Sequence, residues 1–286
     1  MYYGMIALAV ILFGGTFALN QQYERKCGND LFATVLFTLV SGSAGLIALL
    51  AIHRFAVSCT AFTLLVAAAA ALNSMLFTFC SLRALHRIDL SLYSLFSMIG
   101  GMTLPFLAGL FFYREPMTLA KGICFTFVLA ALLLGMKRRE KTGGIVYYIA
   151  IFVLNGMSGV LAKIFEAAPY PKADAASYSI LTVALTVGAA ILLLPVALRR
   201  NQRLRPSAGA LVSAAGHGVF NRIANLLLLV ALGFVPISVQ YPMVTGGVMI
   251  VSTVIGSFSK VKPTRREVAA VIIAFAGIVL LVTVPI

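Results

Sequence analysis

Near its three-quarter point the 286-residue chain sets a histidine, two asparagines and an arginine inside an apolar stretch: His217, Asn221, Arg222 and Asn225. The first, second and fourth recur every four residues, so a helix would align them on one face, with Arg222 turned about 100° away. In a hydrocarbon setting an arginine costs roughly 2.5 to 3.5 kcal/mol on insertion scales, so a helix that keeps one needs a compensating partner or a use. A guanidinium stays charged and offers a bidentate fork to a carboxylate or phosphate, which makes Arg222 a candidate anchor for an anionic group. The competing readings are a structural ion pair with a carboxylate such as Glu166 and snorkelling toward a water-filled vestibule. His217 titrates near neutral pH and could relay a proton, although a histidine in a polar stripe is more often only hydrogen-bonded.

Other apolar stretches carry polar residues at helical spacing. Asn73 with Phe77, Tyr93 with Ser97, and Gln240 and Tyr241 with Thr245 are suited to a cavity wall, as are Thr16 with Asn20 and the isolated Asn155. Lys163 and Glu166, three residues apart at the end of a stretch, could form a gate or charge pair, although side chains near a helix end more often simply reach the interface. All eight carboxylates fall at or near the ends of apolar stretches, and Phe13-Gly14-Gly15-Thr16 contains no acid. A cavity whose one central charge is positive suits anionic or zwitterionic solutes better than organic cations.

These residues need elements to hold them, and composition says which. The chain is 61% hydrophobic and 10% charged, with a mean hydropathy of +1.03, far outside the soluble range. Spans need about 20 apolar residues each, so about ten fit and no sizeable soluble domain remains. The unbroken apolar runs exclude a porin-type barrel, whose strands alternate in polarity. They lie at about Tyr2 to Gln22, Leu31 to Ile52, Thr60 to Leu82, Leu90 to Tyr113, Thr118 to Met136, Ile145 to Phe165, Ala176 to Leu198, Ser207 to Leu232, Ile237 to Ser259 and Arg266 to Val284. The first lacks a basic start and a small-residue cleavage pattern, so it reads as retained. Cys27, Cys59, Cys80 and Cys124 have neither disulfide-framework nor zinc spacing, so no metal or other cofactor is expected.

The net charge of +14 reads as a topology signal and not as nucleic-acid binding. Sixteen basic residues fall in the loops after odd-numbered spans and five on the other side, with Arg222 between. That places the odd loops in the cytoplasm and both termini outside. With no Trp, tyrosines near the span ends serve as the interfacial belt.

The most polar stretch, 137–144, divides the chain into 1–136 and 145–286, five spans each. Sliding one half on the other by 147 residues brings Ala84-Leu85 onto Ala231-Leu232, Ser91 onto Ser238, Gly100 onto Gly247, Met102 onto Met249 and Pro116 onto Pro263. An odd number of spans per copy inverts the second in the membrane, a recurring plan of secondary transporters. The expected fold is therefore all-α and membrane-integral, ten helices as two inverted five-helix repeats.

Ala84-Leu85-His86-Arg87-Ile88-Asp89-Leu90-Ser91, then Pro105, then Tyr113-Arg114-Glu115-Pro116-Met117-Thr118, resembles the ten-span, EamA-type members of the drug/metabolite transporter superfamily. The second half repeats the pattern as Ala231-Leu232-Gly233-Phe234-Val235-Pro236-Ile237-Ser238 and Lys260-Val261-Lys262-Pro263-Thr264, with Lys262 where the family often has Glu. The resemblance implies an inner-membrane exporter of small organic metabolites working by alternating access, with protons as the coupling ion. Amino acids and related carboxylates are the leading substrate class, ahead of sugar phosphates or nucleotide-derived anions. The alternatives are an exporter of lipophilic drugs or organic cations, and a non-transporting sensor of the same fold. An intramembrane enzyme is disfavoured: His217-x-x-x-Asn221 matches one short protease motif, but the chain has no Glu-Glu pair and only His53, His86 and His217 as histidines. The expected partners are a small-molecule substrate and the lipid bilayer, and the two repeats allow a monomer or a dimer.

Overall fold

The computed structural model describes residues 2–28, 30–85, 90–135, 145–200, 206–257 and 265–283. Among them are ten helices: α1 (Tyr2–Cys27), α2 (Leu31–Ile52), α3 (Ala61–Leu85), α4 (Leu90–Phe111), α5 (Leu119–Gly135), α6 (Ile145–Ala167), α7 (Ala175–Arg200), α8 (Ala208–Leu232), α9 (Ile237–Ser257) and α10 (Arg265–Thr283). They coincide with the ten apolar runs; the protein is all-α and membrane-like. Six of them, α1, α2, α6, α7, α8 and α9, are long and apolar enough to cross a membrane over their described residues. In α3, α4, α5 and α10 the apolar stretch among described residues is shorter. The stretch 137–144 lies outside the described residues.

The helices start where polar side chains satisfy otherwise unpaired amides. Asp30 caps α2 through Ala33 N at 3.0 Å, Thr60 caps α3 through Thr63 N at 3.2 Å, and Asp174 caps α7 through Ser177 N at 2.9 Å. Ser207 does the same for α8 through Ala210 N at 3.3 Å. After α2, Arg54 and Phe55 take left-handed conformations that turn the chain back toward α3.

The pairings are selective. α1 packs on α8 and α9; α6 packs on α3 and α4; α2 lies against α7 and α8, and α7 also touches α3. α4 meets α9, and α5 meets α10. Glycine sets the closest crossings. A Cβ at Gly218 of α8 would collide with the backbone of Ser41 on α2, and one at Gly100 of α4 would collide with the backbone of Phe152 on α6. Small residues that let backbones touch are the usual glue between helices in lipid.

The main core joins Ile6, Ala9 and Val10 of α1 to Met102, Ala224, Leu228, Val239 and Val248. Large apolar side chains such as Leu65, Leu72, Leu192, Val212 and Ile272 point outward, the inverse of a water-soluble surface and the face a lipid tail would cover.

Candidate functional site

A cavity of about 550 Å³ opens among α1, α3, α4, α6, α8 and α9. From α8 it receives Asn221, Asn225, Leu228, Leu229 and Leu232, a stripe at spacings of three and four. α6 contributes Asn155, Ser158, Gly159 and Ala162 on the same periodicity. Opposite them stand Tyr241, Val244, Thr245 and Val248 of α9, with Ser97, Met98 and Gly101 of α4. Phe77 of α3 and Phe13 and Asn20 of α1 complete the wall. No charged side chain is among these lining residues.

Asn221, Asn225, Phe77, Ser97, Asn155, Tyr241 and Thr245 thus come together at one cavity, from five helices far apart in sequence. Gly159 explains how Tyr241 fits, because any larger residue there would meet the tyrosine ring and Pro105. Asn73 is buried behind the wall, where its Nδ2 donates to the Leu154 carbonyl at 2.9 Å and to Ser158 Oγ at 3.0 Å. It positions Ser158 without lining the cavity. Gln240 is fully buried, donating to the Leu228 carbonyl at 2.9 Å, and its Oε1 has no partner. The Tyr93 side chain lies outside the described residues.

Arg222 is not in the cavity wall. One residue after Asn221, it is rotated off the cavity toward α2, where a side chain at Gly45 would run into its stem. It forms no ion pair among the described residues, and Glu166 is not its partner. His217 also leaves the cavity: its ring lies 4.8 Å from that of Phe37 on α2, centroid to centroid, and its Nδ1 is buried without a partner. The polar stripe of α8 therefore splits, Asn221 and Asn225 toward the cavity and His217 toward α2, because α1 and α2 close over the first half of α8. Nor do Lys163 and Glu166 pair with each other. Lys163 Nζ donates to the Leu232 carbonyl at 3.4 Å and sits 5.4 Å from the centre of the Tyr113 ring, serving the end of α8. Glu166 lies beside Gly233, the C-cap of that helix.

Ser158, Phe13 and Met98 are lining residues that the residue pattern alone did not single out. Ser158 was findable, since Asn155, Ser158, Gly159 and Ala162 make a small and polar stripe at i, i+3, i+4 and i+7. Phe13 and Met98 carry no such signal; apolar residues in apolar helices all look alike.

One end of the cavity is sealed. Leu229 and Leu232 belong to a buried cluster with Val66, Ala67, Phe165, Tyr178 and Ile237. Beyond it, the turns of that end are tied together. Glu115, between α4 and α5, accepts from Ile237 N at 2.9 Å and Ser238 N at 3.0 Å, and from the Ser238 hydroxyl. His53 Nε2 lies 3.3 Å from Asp174 Oδ1, an ion pair when the imidazole is protonated. Ser58 and Ser177 donate to Asp174 Oδ2 at 3.1 and 2.7 Å. Burial pushes the Asp174 carboxyl up, but these donors and His53 outweigh it and hold the group below its ordinary value. His53 Nε2 faces both Ser177 and Asp174, so this cluster lacks the two-nitrogen relay of a nucleophilic triad. Among the described residues no three metal-donor side chains come together.

No protein-family model matches the chain, and no curated protein matches it. Solved structures do match, 28 chains in all. One, described only as "Crystal structure of protein", aligns with a TM-score of 0.71 at 15% identity, covering 97% of this chain and 97% of its own. At that identity the likeness establishes a fold shared over the whole chain.

Proposed function

We propose that this protein is a secondary transporter of the drug/metabolite transporter superfamily, an exporter of small organic metabolites that works by alternating access and is not an enzyme. The observation that carries the reading is the cavity: a wall of asparagines, hydroxyls and aromatic rings, deep in an apolar helix bundle, at the junction of six helices. A site that combines apolar walls with a few convergent polar groups is the usual form of a small-molecule pocket. Its uncharged lining favours solutes with no net charge, so zwitterionic amino acids lead among the carboxylate-bearing candidates, and free anions fall behind.

In this reading ten spans form two inverted repeats, 1–136 and 145–286, joined by 137–144. The helix pairings support it. Adding five to each helix number turns α1 with α8 into α6 with α3, α1 with α9 into α6 with α4, and α2 with α8 into α7 with α3. The pairs α2 with α7, α4 with α9 and α5 with α10 map onto themselves, as a two-fold axis in the membrane plane requires. The sealed end carries the even-numbered loops, outside by loop charge, so this conformation is closed to the outside of an inner membrane. Proton coupling is taken from the family resemblance.

The test is counterflow in proteoliposomes loaded with neutral amino acids, organic acids, sugar phosphates or organic cations. Exchange of neutral amino acids that Thr245→Val and Asn221→Ala slow is the expected result. Exchange of organic cations alone would move the protein to the drug-exporter class, and ligand binding without any flux would make it a sensor.

A further inference from the structure

The hydrogen bonds that hold the cavity amides also fix which way round each one points. Asn155 Nδ2 donates to the Ser97 carbonyl at 2.6 Å, and Asn225 Nδ2 donates to the Asn221 carbonyl at 2.7 Å and to Asn221 Oδ1 at 3.1 Å. A carbonyl oxygen only accepts, so the amide nitrogen must face it and the amide oxygen must face away. The same polarity recurs in Asn73 on the Leu154 carbonyl and in Gln240 on the Leu228 carbonyl. Four side-chain amides in and behind one wall thus turn a donor toward helix backbone and point their oxygens the other way. No donor among the described residues reaches the oxygens of Asn155 or Asn225, and Gln240 Oε1 is buried without one.

At Asn155 and Asn225 the wall therefore presents acceptor oxygens that seek hydrogen-bond donors. Lysine and arginine, which would fill such a need from within, are absent from the lining residues, and the nearby Lys163 is engaged by the end of α8. A hydroxyl or neutral amide would bring acceptor lone pairs of its own, and a carboxylate would set oxygen against oxygen. A protonated primary amine has three donors and no acceptor. The rings of Phe13 and Phe77 in the same wall add faces that attract a cation.

We infer that the cavity recognises its ligand by a protonated amine seated on Asn155 Oδ1 and Asn225 Oδ1, with the apolar body of the ligand against Phe13, Phe77, Leu228 and Leu229. The inference rests on the cavity being the substrate site. It goes beyond that reading by making the amine, and not the carboxylate, the group without which binding fails. A carboxylate on the same ligand finds its donor in the Asn221 amide, whose oxygen is already taken by Asn225.

Four probes share one apolar body and differ in their polar groups: phenylalanine, 2-phenylethylamine, 3-phenylpropionate and N-acetylphenylalanine. Their affinities for the purified full-length protein are measured by calorimetry and thermal stabilisation. Phenylalanine and phenylethylamine should bind at least about tenfold more tightly than the two probes without a free amine, the equivalent of one charge-assisted hydrogen bond. Asn155→Ala and Asn225→Ala should each narrow that gap. Because the wild-type protein alone tests the ranking, poor folding of a variant does not rescue the idea. Phenylpropionate binding as tightly as phenylethylamine, or a gap that survives both substitutions, would overturn the amine and leave the cavity as a substrate site. Binding by none of the four, beside flux of another solute class, would do the same. Neither binding nor flux of any class would remove the transporter reading as well.

Discussion

Glu115, in the turn between α4 and α5, caps a helix more than a hundred residues away: its carboxylate receives the Ser238 amide at 3.0 Å and the Ser238 hydroxyl at the start of α9. Ile237 N adds a third bond at 2.9 Å. An anion at a helix N-terminus meets unpaired amides and the positive end of the dipole together. Lys121 steadies the turn, donating to the Pro116 carbonyl at 2.9 Å from a fully buried position. Ile237 belongs to the cluster that seals the cavity, so the cap and the seal form one unit. Replacing Glu115 with Gln should cost about 1.5 to 3 kcal/mol, read as a lower melting temperature in detergent. Ser238→Ala, which keeps both amide bonds, should cost no more than about 1.5 kcal/mol.

The contact of α8 with α2 depends on Gly218. Gly218→Ala should force the helices apart and destabilise by about 1 to 3 kcal/mol. Gly188→Ala on α7, where a Cβ would meet nothing within 4 Å, should be neutral or stabilising by up to about 1 kcal/mol. Equal melting temperatures for the two variants would remove the crossing from the account.

Arg222 and Asn221 are neighbours in sequence that face different ways, and binding assays should tell them apart. Arg222→Gln should leave the affinity of a cavity ligand within about twofold, while Asn221→Ala should weaken it up to about tenfold, the worth of one hydrogen bond. A large loss in Arg222→Gln alone would return the guanidinium to the substrate.

Asp174 ties the start of α7 to the α2–α3 loop, and its carboxyl is held below the ordinary value of 3.8. A group depressed in the folded state contributes stability above its unfolded pKa and loses it as pH falls through its folded one. The stability that wild type holds over Asp174→Asn should therefore be fully present at about pH 5 and shrink as pH falls below about 3.8. A difference that grew on acidification would contradict the arrangement.

Cys59 is exposed in the α2–α3 connection, whereas Cys27 and Cys124 are buried. If the even-numbered loops lie outside, as the loop charges imply, a membrane-impermeant maleimide should label intact cells through Cys59, and Cys59→Ser should abolish most of that signal. Labelling that needs permeabilised cells would reverse the orientation drawn from loop charge.

The helices could be read from the residues alone, because a twenty-residue apolar run in lipid has to satisfy its backbone internally and only a helix does so within one segment. Polar residues at the run ends then mark the starts, as Asp30, Thr60, Asp174 and Ser207 do. Much of the cavity wall was legible for the same reason: a polar side chain in an apolar helix is costly, so Asn221, Asn225, Asn155, Ser97 and Thr245 stand out against their neighbours. Which way each costly residue turned depended on how the helices pack. Neighbours on α8 differ by about 100°, and the packing of α1 and α2, not the residue types, sends Asn221 inward and Arg222 and His217 aside. The polarity of the amides was likewise beyond reach of the sequence, since it follows from which backbone carbonyls lie opposite Asn155 and Asn225 once the helices have met.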